Sequence, residues 1–231
     1  MKILLIDNNI DPVYWGSSEL REFAAKVPGA TVCVRRAPQG DLPADSRGFH
    51  RIVISGSRTS AMDSSPWVLK LHEFLKRALN ERKPMLGICY GHQALVRVIG
   101  GDELMRTAEK PEVGWTEIEI LEKGHLLAGL SDKFFTFSSH FQEVSELPKG
   151  LKCTSHSERC PVQSFEMEGA PVYGVQFHPE RNVERSEISM KENCAQGHSH
   201  AKVLLRPKDG KKLYDPKVAE TIFGNFFSDR I

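Results

Sequence analysis

Through residue 101 the chain alternates short, wholly apolar runs with stretches whose apolar residues recur at helical spacing. This alternation limits the fold more than any other feature. The opening KILLID ends in Asp7-Asn8-Asn9, as a buried parallel strand followed by a loop would read. Residues Ser17 to Val27 carry a helical pattern with Leu20, Phe23, Ala24 and Val27 on one face, and Pro28-Gly29 stops it. The strand TVCV (Thr31 to Val34) follows, then a Pro/Gly/Asp-rich link from Ala37 to Gly48. A third strand, RIVIS, ends at Ser55 in the small-residue loop Gly56-Ser57. The spacing of Trp67, Leu71, Phe74, Leu75 and Ala78 predicts a helix from about Pro66 to Arg82, with the proline at its start. Pro84 precedes the strand MLGI, and a helix from Gly91 to Ile99 closes with Gly100-Gly101. Strands alternating with helices in this way imply a parallel sheet with right-handed crossovers.

Beyond residue 101 the pattern changes to short alternating runs, TEIEIL, FFTF, VQSFE and VYGVQF, separated by Gly, Pro and Ser turns. These predict an antiparallel extension of the same sheet rather than an independent domain, so residues 1–231 read as one domain. Residues Arg181 to Tyr214 are polar, with five basic residues between Lys202 and Lys212, and read as an inserted loop or small flap. Pro216 to Asp229 reads as a packing helix, and Trp67 and Trp115 as core anchors.

Composition removes several classes of function. Of 231 residues 40% are hydrophobic and 26% charged, ordinary values for a soluble globular protein. The formal net charge of +1 supplies no global field for nucleic acid or an anionic membrane. The N-terminal apolar run Ile3 to Ile6 is too short for a signal segment or a membrane span. Five cysteines at irregular spacing do not form a disulfide framework, so a reducing cytoplasm is expected.

Within this frame Gly87-Ile88-Cys89-Tyr90-Gly91-His92 joins a buried strand to a helix. A nucleophile on such a sharp turn is exposed at the strand's C-terminal end, and flanking glycines relieve crowding. The following helix directs free N–H groups and its positive end at the sulfur, which favours thiolate over thiol. The backbone N–H of Tyr90 falls where an oxyanion needs a donor, and the loop at Gly56 can supply a second. The competing reading is a buried core cysteine at a strand end. A thiol nucleophile needs a base, and the base needs an orienting group. YGVQFHPE offers both, because a strand of buried type runs into His178-Pro179-Glu180 and Pro179 stiffens the turn. Strand ends on one edge of a parallel sheet can bring Cys89 and His178 together. The order Cys, His, Glu fits an α/β-hydrolase poorly, since that fold places its acid before its histidine.

Taken together, GICYGHQAL and YGVQFHPE resemble the class I (triad-type) glutamine amidotransferases, from about residue 2 to 180 and again in the final helix. The resemblance implies an α/β, flavodoxin-like, mostly parallel sheet with helices on both faces and an antiparallel extension. It implies Cys89 as nucleophile, His178 as base, Glu180 as its orienter, and Gly56 and Tyr90 as the oxyanion hole. Gln93 is similar to the family residue that helps hold the glutamine substrate. Ser138-Ser139-His140-Phe141 resembles the stretch whose backbone grips the substrate's α-amino and α-carboxylate groups. SERCPVQSFE with PVYGVQFHPE is similar to the glutaminase part of GMP synthetase. ISGSRTSAMDSSPW and EVGWTEIEI instead resemble free-standing GMP-synthase-like relatives, a group that shades into plant γ-glutamyl peptidases. The chain departs from the synthetase pattern at Gly56-Ser57, where Gly-Gly is typical, and near Gln142, where an acidic residue is usual.

The implied function is a glutaminase that makes glutamate and ammonia for a separate synthetase. A self-sufficient γ-glutamyl hydrolase or peptidase is one alternative, and a catalytically idle regulator that keeps only the fold is another. The substrate is glutamine or a γ-glutamyl compound, and no cofactor, nucleic acid or membrane partner is implied. No metal is needed, because a thiolate already supplies the nucleophile. Cys194, His198 and His200 hold the right donor types for zinc but lie in the polar insertion and are set aside. Cys33, Cys153 and Cys160 read as bystanders, His92 as a packing residue and the Lys208–Lys212 run as a solvated face.

Overall fold

A computed structural model describes residues 1–11, 16–195 and 204–228. In chain order the elements are β1 (Lys2–Asp7), α1 (Ser18–Ala25), β2 (Thr31–Arg36), β3 (Arg51–Ile54), α2 (Pro66–Asn80), β4 (Met85–Ile88) and α3 (Tyr90–Gly100). They continue with β5 (Met105–Ile120), β6 (Lys133–Val144), β7 (Leu151–His156), β8 (Ser164–Met167) and β9 (Val172–Val175). The last are α4 (Val183–Ala195), β10 (Leu204–Leu205), α5 (Gly210–Leu213) and α6 (Pro216–Ser228). The order β2-β1-β3-β4-β9 is parallel throughout and is the flavodoxin-like arrangement. The central strands β1, β3, β4 and β9 are mainly apolar runs because both of their faces are covered, while the edge strand β2 is only partly buried.

Alternate residues of the strands sort the core into two layers. Leu4, Ile6, Ile52 and Ile54 meet Leu71, Phe74, Leu75 and Ala78 of α2 and Ala94 and Leu95 of α3. Ile3, Leu5, Val53, Leu86 and Ile88 meet Leu20 and Ala24 of α1 and Ile222, Phe223 and Phe226 of α6. Burying a side chain such as Ile222 or Phe226 contributes about 1.5–3 kcal/mol. The helix at the C-terminal end of the described chain is therefore a structural part of the sheet's second face.

Strands β8, β7 and β5 extend the sheet antiparallel from β9, with β6 paired to β5. Strand β9 differs from the expectation that VYGVQF belongs to the antiparallel set. It pairs parallel with β4 and antiparallel only with β8, so it is the junction of the two halves. The β5–β6 register shifts between Thr107 and Glu112, where Pro111 has no N–H for the ladder. Trp115 is buried as expected, while Trp67 is partly buried against the first core layer.

The polar insertion is the larger difference. It is not simply a loop, because α4 runs from Val183 to Ala195 and β10 pairs with β5 at Val113 and Gly114. The VERSEISMKENCA sequence shows almost no apolar stripe, and one buried contact, Met190 against Val113, Trp115 and Phe137, anchors it. His198 and His200 lie outside the described residues. Among the described residues no helix is long and apolar enough to cross a membrane, and no cluster of three His, Cys, Asp or Glu could hold a metal.

Candidate active site

Cys89 sits between β4 and α3 with φ +49° and ψ −103°, a backbone conformation that a residue with a Cβ rarely adopts. The close approaches around the turn explain its glycines. A Cβ on Gly87 would stand 2.5 Å from the backbone of Gly91, and one on Gly91 would run into the carbonyl of Ile54. The turn is tied to the neighbouring strand, since the Cys89 N–H donates to the Val175 carbonyl at 2.8 Å. The strand that carries the histidine therefore also fixes the sulfur.

Past β9 the chain reaches His178, whose N–H donates to the Phe137 carbonyl of β6 at 2.7 Å. Its Nδ1 lies 2.7 Å from Glu180 Oε1, which leaves Nε2 for the sulfur of Cys89. All three side chains are buried. Burial opposes a charge on His178, but the carboxylate of Glu180 and the sulfur of Cys89 outweigh it and raise the pKa to about 10. Burial likewise opposes a charge on Glu180, and His178 and Arg181 outweigh it and lower the pKa. The arrangement favours a charged imidazolium on His178 beside the ionised carboxylate of Glu180.

Gly56 follows β3, and a Cβ there would stand 2.9 Å from His178 Cε1 and 3.6 Å from the Cβ of Cys89. Only glycine lets that backbone come so close. Its loop is held by Asn8, whose Nδ2 donates to the Ser55 carbonyl at 2.9 Å, and by Ser57 Oγ donating to the Asn8 carbonyl at 2.7 Å. Tyr90 is the first residue of α3, so its N–H has no partner within the helix. Gly56 and Tyr90 thus flank Cys89 from two elements.

Of the residues expected to hold substrate, Ser139 comes nearest, with its carbonyl oxygen 3.9 Å from the Cys89 sulfur. The His140 imidazole instead meets buried Glu112, at 2.9 Å between Nε2 and Oε2. Glu112 also accepts from Ser157 Oγ and Gln163 Nε2, each at 2.6 Å. Phe141 packs against the cluster of Val113, Trp115, Phe137 and Met190. Their side chains brace β6 and leave its backbone toward the site. Gln93 Nε2 donates to the Gln142 carbonyl at 2.7 Å and to Gln176 Oε1 at 2.9 Å, so both of its amide hydrogens are engaged.

Several neighbours were not singled out from the sequence. Gln176 is fully buried and its Nε2 lies 3.6 Å from the Cys89 sulfur. A polar residue between Val175 and Phe177 in an apolar run was the available signal. Arg97 holds the loop after β3 through the carbonyls of Ala61 and Asp63. Helix α4 reaches both sides of the site, through Asn193 to Ser139 Oγ at 3.4 Å and Glu192 to Arg58 at 2.5 Å. His92 is fully buried beside Phe165, and burial lowers its pKa to about 3, which fits a neutral packing residue.

Comparison with known proteins shows the family and the fold. Residues 4–196 match the family described as Glutamine amidotransferase class-I. One of the subunits of the glutamine-hydrolyzing GMP synthase of Thermococcus kodakarensis is 46% identical over 97 residues, covering 42% of this chain and 50% of that protein. The glutamine-hydrolyzing GMP synthase of Porphyromonas gingivalis is 31% identical over 180 residues, or 78% of this chain and 33% of that one. The matches thus span about half or less of these relatives' length. A glutamine amido transferase from Methylobacillus flagellatus superposes with a TM-score of 0.79 at 22% identity, over 98% of this chain and 94% of that one. A glutamine amidotransferase from Thermotoga maritima gives 0.79 at 19% identity, over 99% of each chain. These two likenesses concern the fold.

Proposed function

Because the chain belongs to the glutamine amidotransferase class-I family, we propose that it hydrolyses the side-chain amide of glutamine through Cys89, His178 and Glu180. The observation that carries this reading is the 2.7 Å contact of His178 with Glu180, in a site where His178 also faces the strained Cys89. The Cys89 thiolate attacks the γ-amide carbon, and the developing oxyanion meets the N–H groups of Gly56 and Tyr90. The His178 proton passes to the leaving nitrogen, ammonia departs and a thioester remains. Neutral His178 then takes a proton from water, hydroxide attacks the thioester, and glutamate leaves with the thiolate restored. The sum is glutamine plus water giving glutamate plus ammonia. Backbone atoms around Ser139, and the Oε1 of Gln93, are the groups we assign to hold the amino-acid end of the substrate. The GMP synthase relatives suggest a separate synthetase as the receiver of ammonia.

A self-contained γ-glutamyl hydrolase is the second reading, and Gln142 favours it. Its Oε1 accepts from the Ala61 N–H at 2.6 Å and its Nε2 donates to Ser60 Oγ at 2.8 Å. The side chain is thereby spent on a contact within the chain, where the synthetase pattern has an acidic residue. Glutamate release from glutamine and from γ-glutamyl peptides, with Cys89→Ala as control, tests both readings. Preference for glutamine supports the first and robust peptide cleavage the second. Activity of Cys89→Ala near that of the wild type would overturn both.

A further inference from the structure

Gln176 is a buried amide just past the apolar strand β9, flanked by Val175 and Phe177, all three with no solvent exposure. Burying an amide there is unfavourable unless its hydrogen bonds are made, and a leucine or methionine would fill the space without that cost. Where those hydrogen bonds go is therefore informative.

The orientation of the amide follows from its neighbours. Gln93 Nε2 lies 2.7 Å from the main-chain carbonyl of Gln142, which can only accept, so the NH2 end of Gln93 faces it. The second hydrogen of that NH2 group points at Gln176 at 2.9 Å, so the atom it meets must be the acceptor Oε1. The NH2 end of Gln176 is then the end 3.6 Å from the Cys89 sulfur. One backbone carbonyl fixes the direction of both amides, and the chain ends in a donor aimed at sulfur. Gln142 begins this chain and also holds Ala61, so the loop after β3 and the sulfur share one network.

We infer that Gln176 is a fourth group of the reactive centre, donating an N–H to the Cys89 thiolate, with Gln93 as the positioning residue that holds it in that direction. The inference rests on the reading of Cys89 as nucleophile. A donor beside sulfur stabilises the anion and not the neutral thiol, so it acts on the species that attacks. It also gives Gln93 a role separate from any contact with substrate.

The test follows alkylation of each cysteine by iodoacetamide across pH, read by mass spectrometry of the peptide carrying it. Cys194 is exposed and serves as the internal reference. In the wild type Cys89 should react faster than Cys194 at mildly acidic pH. In Gln176→Met its profile should move to higher pH by about one unit, a fall of about tenfold in rate on the acidic side. With glutamine as substrate, kcat should fall in parallel while KM stays within about twofold. A purely structural role would not shift the pH profile of one cysteine. If Gln176→Met does not fold, Gln93→Met replaces it, since freeing the Gln176 amide to turn should shift the profile in the same direction. Wild-type Cys89 no more reactive than Cys194 would overturn the nucleophile itself. A reactive wild type with an unshifted variant would overturn the role of Gln176 alone.

Discussion

His178 Nδ1 and Glu180 Oε1 lie 2.7 Å apart across His-Pro-Glu, so the base and its orienting acid are held by one short turn. Pro179 fixes φ between them and limits the ways they can separate. Their charges support each other at opposite ends of the pH scale. Glu180 has its pKa lowered from 4.5, so its contribution is present above that value and is lost as pH falls through the lowered one. His178 has its pKa raised from 6.5 to about 10, so its contribution is complete below 6.5 and is lost as pH rises toward 10. Glu180→Gln keeps the shape and removes the charge. Its stability deficit should be widest between about pH 4.5 and 6.5 and narrow on either side, which urea titrations of both proteins at several pH values will show. At neutral pH its kcat should fall about a hundredfold, and an unchanged kcat would remove Glu180 from the mechanism.

The backbone of Cys89 permits a separate test of the turn. A positive φ with a Cβ stores on the order of 1–3 kcal/mol, and glycine releases most of it. Cys89→Ala retains the strain and Cys89→Gly does not, although both lack the thiol. The glycine variant should therefore be about 1 kcal/mol more stable than the alanine variant. Equal melting temperatures would mean that no strain is stored at the nucleophile.

Gly56 and Gly91 separate reactivity from folding. A methyl on Gly56 meets the edge of the His178 ring at 2.9 Å, and a side chain can shift by a fraction of an ångström. A methyl on Gly91 meets the Ile54 carbonyl on a buried strand, which cannot yield. Gly56→Ala should keep its circular dichroism while kcat drops at least about tenfold, because the base is moved. Gly91→Ala should not accumulate as folded protein. A well-folded Gly91→Ala would show that α3 can retreat from β3.

These two glycines also show how far the sequence could be read. The parallel half was legible because its strands are apolar runs closed by small residues, and GICYGH and FHPE mark the ends of two of them. Helix α4 was not, because VERSEISMKENCA is polar on nearly every face and is held through Met190 and a few polar contacts. Sequence singled out the stretch Ser138-Ser139-His140-Phe141 but gave no means of knowing that the His140 ring would pair with Glu112. Gln176 lay inside the YGVQFHPE motif, yet its role depends on the direction of an amide, which only neighbouring atoms determine.

Two arginines near the site differ in what they should cost. Arg97 is buried and donates to the carbonyls of Ala61 and Asp63, while also pairing with Asp102. That pair has a mostly exposed carboxylate, so the carbonyls dominate: the buried Ala61 carbonyl left without a donor costs about 1–3 kcal/mol, and the half-buried Asp63 carbonyl adds less. Arg97→Met should therefore lose about 2–4 kcal/mol in chemical denaturation. It should also lower kcat, because the loop it anchors carries Gly56. The Arg58–Glu192 pair has both side chains partly in solvent, at 45% and 31% exposure, and screening limits it to less than about 1 kcal/mol. Glu192→Ala should leave the melting temperature nearly unchanged. What it alters is the hold of α4 beside Ser139, so KM for γ-glutamyl peptides should change more than KM for glutamine. Parallel changes in both constants, or none, would show that α4 does not border the path of the larger substrate.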